Sequence, residues 1–262
     1  MIETIRVTAP DDAITGARVA GNRGRALIFV HGVGSTAAIW DAQLEAFSPE
    51  YRCLAIELRG NGALPDPQPS SITREGFATD VLAVADACGV DRFTIVGCSL
   101  GGVVAFELWK RAPQRVEGMF VADSFARYPE GQAYADGVKA AVRGAGSMLE
   151  FARDRAAKLG LPPERLHVTI DQMAAKSVDC YLASTQATWT GDYRDLLATI
   201  DVPVLAACGS RDTLTPRDLS EEIARGIPGA RFAVVENAGH VSNADAPAAF
   251  NALLEDFLAA LR

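Results

Sequence analysis

The chain has 262 residues, of which 49% are hydrophobic and 22% are charged, so it is long enough to bury one large globular core. Its formal net charge of −8, with no Lys/Arg cluster, argues against nucleic acid or an anionic membrane surface as a partner. Five scattered cysteines without CxxC spacing favour reduced thiols over a disulfide framework or a metal site. No apolar run approaches the ~18–20 residues of a membrane span, and the N-terminus has no apolar signal core. We therefore expect a soluble, cytoplasmic protein, and the sequence leaves a homodimer open.

Short apolar runs and helix-like stretches alternate through the first half of the chain. The runs are apolar throughout, which is typical of strands covered on both faces. Two weaker strand patterns precede them and indicate an antiparallel pair. Helical spacing is clearest over residues 40–47 and 77–88. The predicted strands cover residues 2–8, 16–20, 26–30, 52–57, 93–96, 116–121, 202–208 and 231–235.

The alternation is interrupted after residue 124. Helix-like segments follow without a convincing strand, at residues 132–142, 147–159, 163–175 and 177–188. The strands then return, with a helix over 219–224 and a terminal helix over 245–261. This pattern predicts an α/β fold with a mostly parallel eight-stranded sheet and helices on both faces. Residues 1–125 and 199–262 would form the core, and residues 126–198 a helical lid (cap) inserted between late strands.

The most informative stretch is Gly-Cys-Ser-Leu-Gly-Gly at residues 97–102, between a predicted strand and a predicted helix. At such a turn, Gly-x-Ser-x-Gly strains the serine backbone and lifts the hydroxyl clear of the sheet, and the glycines leave room for it. Ser99 is therefore the candidate nucleophile. A serine needs a base that takes its proton, and near neutral pH that base is usually histidine.

The chain has three histidines, and their positions leave one candidate base. His31 ends a core strand beside two glycines, where we expect it to pin the loop. His167 lies in the helical insertion. His240 follows the last predicted strand. It alone lies after the candidate acids along the chain, in the order serine, acid, histidine that is usual where the serine lies on a strand-to-helix turn.

Two aspartates compete as the acid that orients the histidine. Asp212 directly follows the strand over 202–208 and is the preferred candidate. Asp123 follows the preceding strand and is the rival candidate. If it is not the acid, it could shape the floor of the pocket or cap the insertion. Asp245 is expected to be the N-terminal cap of the last helix.

An oxyanion formed at the serine needs preorganised N–H donors. We expect one from the backbone N–H of Leu100, where a helix begins, and one from Val33, which lies between two glycines after the strand over 26–30. Cys98 directly precedes the serine, so its side chain should point away from the site and pack.

The helical insertion is expected to line the substrate pocket. Trp189 and Phe151 are the predicted contacts there, with Val241 on the core side, and Met148 and Tyr181 are further candidates. Packing among the helices explains the same apolar residues equally well. The Arg and Lys residues of the insertion would suit an acidic substrate, although charged surfaces are usually only solvated. No Gly-rich loop fits a phosphate or dinucleotide fingerprint, and no cofactor is implied.

Five ordered motifs resemble the α/β-hydrolase superfamily over nearly the whole chain. They are His31-Gly32-x-Gly34, Arg59-Gly60-x-Gly62, Gly97-x-Ser99-x-Gly101-Gly102, Gly209-x-x-Asp212-x-x-x-Pro216 and Gly239-His240. The length, the short insertion and the stretch Trp40-Asp41-x-Gln43 are most similar to 3-oxoadipate enol-lactonases and small esterases. Glu57 and Asn61 depart from the Asp and His usual around the second motif, which affects loop packing or pocket polarity but removes no catalytic group.

The resemblance implies a serine hydrolase, with Ser99, His240 and Asp212 as its triad, that cleaves a carboxylic ester or lactone of a small organic molecule through an acyl-enzyme. The same fold and triad also serve C–C bond hydrolases of ring-fission diketones and signalling receptors that bind without turnover. The sequence does not separate these alternatives, because they differ in the shape of the pocket.

Overall fold

A computed structural model describes residues 1–159, 161 and 163–261. Its strands are β1 (Glu3–Thr8), β2 (Ile14–Ala20), β3 (Ala26–Val30), β4 (Arg52–Glu57), β5 (Phe93–Cys98), β6 (Val116–Ala122), β7 (Val204–Gly209) and β8 (Arg231–Val235). They form one sheet in the order β1-β2-β4-β3-β5-β6-β7-β8. β2 pairs antiparallel with both β1 and β4, and the other neighbours are parallel. The predicted mostly parallel eight-stranded sheet is confirmed.

Helices cover both faces of the sheet. Those described are α1 (Asp41–Phe47), α2 (Arg74–Ala87), α3 (Leu100–Arg111), α4 (Gly131–Gly144), α5 (Met148–Ala157), α6 (Pro163–Ala174), α7 (Val178–Trp189), α8 (Arg194–Leu197), α9 (Arg217–Gly226), α10 (Ser242–Asp245) and α11 (Pro247–Ala259). α1 and α11 bury Leu44, Phe47, Phe250 and Phe257 on one face. α2, α3 and α9 pack on the other.

The burial of the central strands on both faces explains why they are apolar throughout. Every residue of β5 is buried, and successive side chains point to opposite faces of a strand. Ile95 joins the cluster under α2 and α3, whereas Val96 joins the cluster under α1 and α11. Because both faces are covered, a polar side chain on either would lose water, so apolar residues are favoured at consecutive positions.

A helical segment from α4 to α8 separates β6 from β7. The four longer helices lie close to their predicted positions, and the four-residue α8 was not predicted. The segment has an apolar cluster of its own, formed by Val138, Val142, Phe151, Ala152, Met173 and Tyr181. These helices therefore pack on one another as well as on the core.

The end of the chain corrects one prediction. A single helix was expected over residues 245–261, with Asp245 as its N-cap. α10 instead ends at Asp245, and α11 begins at Pro247, with Ala246 between them at φ −138°. Proline is favoured at the first position of a helix, and it disfavours helical geometry in the residue before it. Asp245 Oδ2 instead accepts a hydrogen bond from the Gly239 N–H at 2.9 Å.

Candidate active site

Ser99 lies at the turn from β5 into α3, with φ 56° and ψ −114°. A positive φ is strained for a residue with a side chain and costs about 1–3 kcal/mol. Two hydrogen bonds hold the turn. The Ser99 N–H donates to Ala122 O at 3.0 Å, and the Ser124 hydroxyl donates to Ser99 O at 2.8 Å. The serine is thereby fixed at the carboxyl end of β5.

Two glycines make this turn sterically possible. A Cβ on Gly97 would lie 2.3 Å from the carbonyl of Gly101, and a Cβ on Gly101 would lie 2.1 Å from Val30 O. Both distances are well inside van der Waals contact. Only glycine therefore allows α3 to begin so close to β3 and β5.

His240 lies between Ser99 and Asp212, on the loop that follows β8. Its Nε2 is 3.1 Å from Ser99 Oγ, and its Nδ1 is 2.9 Å from Asp212 Oδ2. All three side chains come from residues that are less than a tenth exposed. With Nδ1 donating to the carboxylate, Nε2 is the nitrogen that can accept the serine proton.

Asp212 is held by several donors besides His240. Its Oδ1 accepts from the N–H groups of Leu214 and Thr215, at 2.8 and 3.0 Å, and its Oδ2 accepts from the Thr215 hydroxyl at 2.6 Å. Burial opposes its ionisation, but the charge of His240 and these hydrogen bonds outweigh burial and lower the pKa of Asp212. Asp212 is therefore a fixed, ionised acceptor for the imidazole.

Thr215 is a site residue that the sequence analysis missed. Its hydroxyl also lies 3.1 Å from His240 Nδ1, so it borders the contact between histidine and aspartate. The pattern Asp-x-x-Thr at residues 212–215 was a usable indication, because an aspartate often binds N–H groups two and three residues ahead.

Asp123, the rival acid, has a different environment. Its Oδ1 accepts from the Gly209 N–H at 2.8 Å and its Oδ2 from the Ser242 N–H at 2.9 Å, with no hydrogen bond to His240 among the described residues. Burial, and next the charge of Asp212, raise the pKa of Asp123 to about 7. Asp123 joins the end of β7 to the loop that carries His240.

The thiol of Cys98 supports the same loop. Its Sγ lies 3.7 Å from Asp123 Oδ2 and 3.8 Å from His240 O, within the apolar cluster under α1 and α11. Burial, reinforced by the nearby carboxylates, raises the pKa of this thiol well above its usual value. A buried neutral thiol is a poor nucleophile, so Cys98 packs as predicted, but it also lines the cavity and does not lie wholly away from the site.

Two backbone N–H groups near Ser99 are available as donors. Within the described part of the chain, those of Val33 and Leu100 donate to no protein group. Leu100 is the first residue of α3, so its N–H has no partner within the helix. The loop of Val33 passes close to the serine. A Cβ added to Gly32, the residue before Val33, would lie only 3.2 Å from Ser99 Cβ.

A cavity opens onto Ser99 and His240. Its core side includes Gly32, Val33, Ile39, Leu214 and Val241, and the helical segment contributes Val138, Arg155, Thr169, Met173, Tyr181 and Trp189. Trp189, Val241 and Tyr181 lie in the wall, and their contact with a substrate stays a prediction. Phe151, also predicted there, instead packs against Tyr181, with ring centroids 5.2 Å apart, because it fills the contact between α5 and α7. Met148 packs against the same cluster.

Residues 25–247 match the family model described as alpha/beta hydrolase fold. The chain belongs to the α/β-hydrolase family. It is 28% identical over 256 residues to 3-oxoadipate enol-lactonase 2 of Acinetobacter baylyi, covering 95% of this chain and 94% of that protein. It is 30% identical over 243 residues to a pimeloyl-[acyl-carrier protein] methyl ester esterase of Neisseria meningitidis serogroup B, and this match covers 87% of this chain and 91% of that protein.

A solved structure of a hydrolase is also similar over nearly the whole length of the chain. A hydrolase from Pseudomonas aeruginosa PA01 is 32% identical, with a TM-score of 0.89 and 98% of each chain covered. The protein is therefore a hydrolase with relatives of the esterase and lactonase type. Among its described residues no helix is long and apolar enough to cross a membrane, and no cluster of three His, Cys, Asp or Glu side chains could hold a metal ion.

In this α/β-hydrolase, His31 pins the loop as expected. Its Nδ1 lies 2.9 Å from Gly32 O, and its Nε2 accepts the Leu58 N–H at 3.3 Å. Glu57 and Asn61, the two departures from the family pattern, also hold loops. Glu57 Oε2 accepts the Ala37 N–H at 3.2 Å. The amide of Asn61 donates to two carbonyls of its own loop and accepts from the ammonium of Lys176.

Proposed function

We propose that this α/β-hydrolase is a serine hydrolase that cleaves a carboxylic ester or lactone of a small organic substrate. The observation that carries the proposal is the pair of contacts at His240, 3.1 Å to Ser99 Oγ and 2.9 Å to Asp212 Oδ2. The cavity beside them and the similarity to an enol-lactonase and a methyl ester esterase support it.

In the first half of the proposed reaction, Ser99 Oγ bonds to the substrate carbonyl carbon while its proton moves to His240 Nε2. The electron pair of the C=O bond moves to oxygen, where the N–H groups of Val33 and Leu100 stabilise the negative charge. As the C=O bond re-forms, the bond to the leaving oxygen breaks, and His240 returns the proton to that oxygen. The acyl group remains on Ser99.

In the second half, a water molecule takes the place of the leaving group. His240 accepts a proton from this water as its oxygen bonds to the acyl carbon. The same N–H groups stabilise the second oxyanion. When it collapses, the bond to Ser99 Oγ breaks and His240 returns the proton to that oxygen. The carboxylic acid is released and the enzyme is regenerated without a cofactor.

The proposed role of Asp212 is to hold the imidazole in one tautomer and to stabilise its charged form. Four hydrogen bonds fix its two oxygens, so the carboxylate needs no reorganisation when the imidazole becomes charged. Asp123 offers no such contact, and we assign it to the support of the loop.

Residues 126–198 are the proposed lid, and residues 1–125 and 199–262 the proposed core. The cavity supports this division, since one part of its wall comes from the core loops and the other from the helical segment. The lid wall is mostly apolar, with Trp189, Met173 and Val138. The choice of substrate would therefore depend on the lid. The type of bond that is broken would depend on the core.

The test is labelling with a fluorophosphonate, followed by turnover of p-nitrophenyl esters, alkyl esters and lactones. We expect the wild type to be labelled and to hydrolyse an ester or lactone, and Ser99→Ala to do neither. An unlabelled but folded wild type would overturn the proposal. Labelling with turnover of ring-fission diketones alone would establish a C–C bond hydrolase, and labelling without turnover of any of these would establish a receptor.

A further inference from the structure

The lid wall of the cavity contains one fixed charge. Among the described residues that line the cavity, Arg155 of α5 and His240 are the cationic or ionisable basic side chains, and no carboxylate is present. His240 is engaged with Ser99 and Asp212, which leaves Arg155. The rest of the lid wall is uncharged and mostly apolar, so this charge is the main electrostatic feature that a ligand would meet.

Arg155 has no anionic partner within the part of the chain that the structure describes. No hydrogen bond or ion pair joins its guanidinium to another described residue, whereas Arg127 and Arg194, elsewhere around the helical segment, both pair with Asp192. Its described neighbour is the ring of Tyr134, 5.7 Å from the guanidinium carbon. A half-buried guanidinium has lost part of its hydration, and a ring face replaces only some of it.

Three hydroxyl groups without a partner among the described residues lie near this charge or in the same cavity. The hydroxyl of Tyr134 is buried and has no hydrogen-bond partner in the part of the chain that is described. Tyr181 and Thr169 line the same cavity, and neither hydroxyl makes a hydrogen bond to a described residue. Burial raises the pKa of Tyr181 to about 12, although Arg155 opposes the shift, so Tyr181 keeps its proton and remains a donor. A guanidinium that shares a cavity with free O–H donors matches the needs of an anionic oxygen group.

We propose that Arg155 binds a carboxylate of the substrate, so that the enzyme acts on esters or lactones that carry a second, ionised acid group. The inference rests on the proposed function at Ser99. A singly charged carboxylate balances the single charge of Arg155 and fits its planar fork of donors. Val138, Met173 and Trp189 line the same cavity and suit a short aliphatic spacer between the acid group and the reacting carbonyl.

Matched substrates test this proposal directly. The charged series is the monomethyl esters of linear dicarboxylic acids with four to seven carbons, so that spacer length is scanned. The neutral series is the corresponding methyl ester monoamides, which have nearly the same shape. We expect wild-type kcat/KM to favour the charged member at the best length by about ten- to hundredfold, as for other charge-assisted hydrogen bonds.

Variants of Arg155 test whether this residue causes the preference for the charged substrates. Arg155→Gln should reduce the ratio of charged to neutral kcat/KM to about one, and Arg155→Lys should retain part of it, since charge persists but the planar fork is lost. Arg153→Gln is the matched control, because Arg153 is exposed two residues earlier on α5. It should keep the wild-type ratio. A wild-type preference for the neutral series, or a preference that survives in Arg155→Gln, would overturn the assignment.

A binding measurement separates this inference from the proposed chemistry. In Ser99→Ala, calorimetry with the monomethyl esters and their monoamides measures binding without turnover. The carboxylate should bind more tightly than the amide in Ser99→Ala, and the difference should vanish in Ser99→Ala/Arg155→Gln. This result would uphold the subsite even if no ester were hydrolysed. Equal binding of acid and amide in Ser99→Ala would refute the subsite even if esters were hydrolysed well.

Discussion

Two buried carboxylates lie near His240, and their donors separate their roles. Asp212 accepts from the imidazole, whereas both oxygens of Asp123 accept from backbone N–H groups. Two like charges in one buried region disfavour double ionisation, and the proton goes to the group with the weaker set of donors. Asp212 has the stronger set, since four hydrogen bonds reach its two oxygens, including the one from the imidazole. This accounts for a lowered pKa at Asp212 and a raised pKa at Asp123.

Exchanging each carboxylate for an amide tests this assignment. Asp212→Asn turns an N–H toward His240 Nδ1, which favours the tautomer that cannot accept the serine proton, and we expect kcat/KM to fall by about 10³–10⁴. Asp123→Asn loses one of two acceptors for backbone N–H groups, and we expect it to lower the free energy of unfolding by about 1–3 kcal/mol, with a smaller loss of rate. Ester kinetics and urea unfolding measure the two effects. A large rate loss confined to Asp123→Asn would reverse the assignment.

The hydroxyl of Thr215 gives a finer test of how Asp212 is positioned. Thr215→Val keeps the shape but removes the 2.6 Å hydrogen bond to Asp212 Oδ2. A hydrogen bond to a charged group is worth about 1.5–3 kcal/mol, so we expect kcat to fall by about ten- to hundredfold with little change in KM. Thr215→Ser, which keeps the hydroxyl, should restore most of the rate. Thr213→Val is the control, because Thr213 is exposed. Equal kcat values for Thr215→Val and Thr213→Val would contradict this role.

The contact between α3 and β3 depends on one glycine. In Gly101→Ala the new methyl group would lie 2.1 Å from Val30 O, so α3 must shift away from the strand and carry the Ser99 turn with it. We expect a loss of about 1–3 kcal/mol in the free energy of unfolding, and a fall in activity. Gly137→Ala in α4 is the matched control. Its Cβ would meet nothing within 4 Å, and it should stabilise the protein by about 0.5–1 kcal/mol. Similar unfolding midpoints for both variants would refute the steric argument.

The sequence predicts those elements that depend on the burial or backbone geometry of neighbouring residues in the chain. β5 is predictable because both of its faces are buried, and the turn at Ser99 is predictable because only glycine fits at positions 97 and 101. Asp245 was misassigned because two local rules compete there. The preference of aspartate for a helix N-cap competes with the preference of Pro247 for the first helical position, and Pro247 starts the helix.

The lid shows where sequence patterns stop being sufficient. Helical spacing predicts that Phe151 is buried, but not whether its partner is another helix or a ligand. Phe151 packs on Tyr181, and the side chain that reaches the cavity from α5 is Arg155. Thr215 was missed for a related reason, since its contact with the imidazole joins residues 25 positions apart. Such contacts are set by how elements meet, which one element's pattern does not contain.

The helical segment and the core are joined by polar contacts at several places around the cavity. The Tyr193 hydroxyl donates to Glu107 Oε2 of α3 at 2.9 Å, and Arg74 of α2 donates to Ala187 O at 3.0 Å. Lys176, between α6 and α7, donates to Asn61 Oδ1 in the loop after β4. These contacts tie the proposed lid to elements on different sides of the site, so the stability of the lid is linked to that of the core.

Lys176 makes this link dependent on pH. It is 8% exposed, and burial lowers its pKa to about 8 from 10.5, with Glu57 opposing the shift. Because the folded state holds the proton less tightly than the unfolded chain, the buried charge costs stability below pH 8. That cost is relieved as the pH rises from about 8 to about 10.5, by at most about 1.4 kcal/mol per pH unit.

The variant Lys176→Met removes the charge and keeps most of the length of the side chain. The free energy of unfolding of the wild type, minus that of Lys176→Met, should therefore increase from pH 8 to pH 10, because only the wild type loses a buried charge over this range. Urea unfolding at each pH measures the difference, and other titrating groups cancel between the two proteins. Lys139→Met, at an exposed position of α4, should give a difference that does not change with pH. If the Lys176→Met difference were equally flat, the ammonium would have to be solvated when the protein is folded, and the contact with Asn61 would not hold the lid.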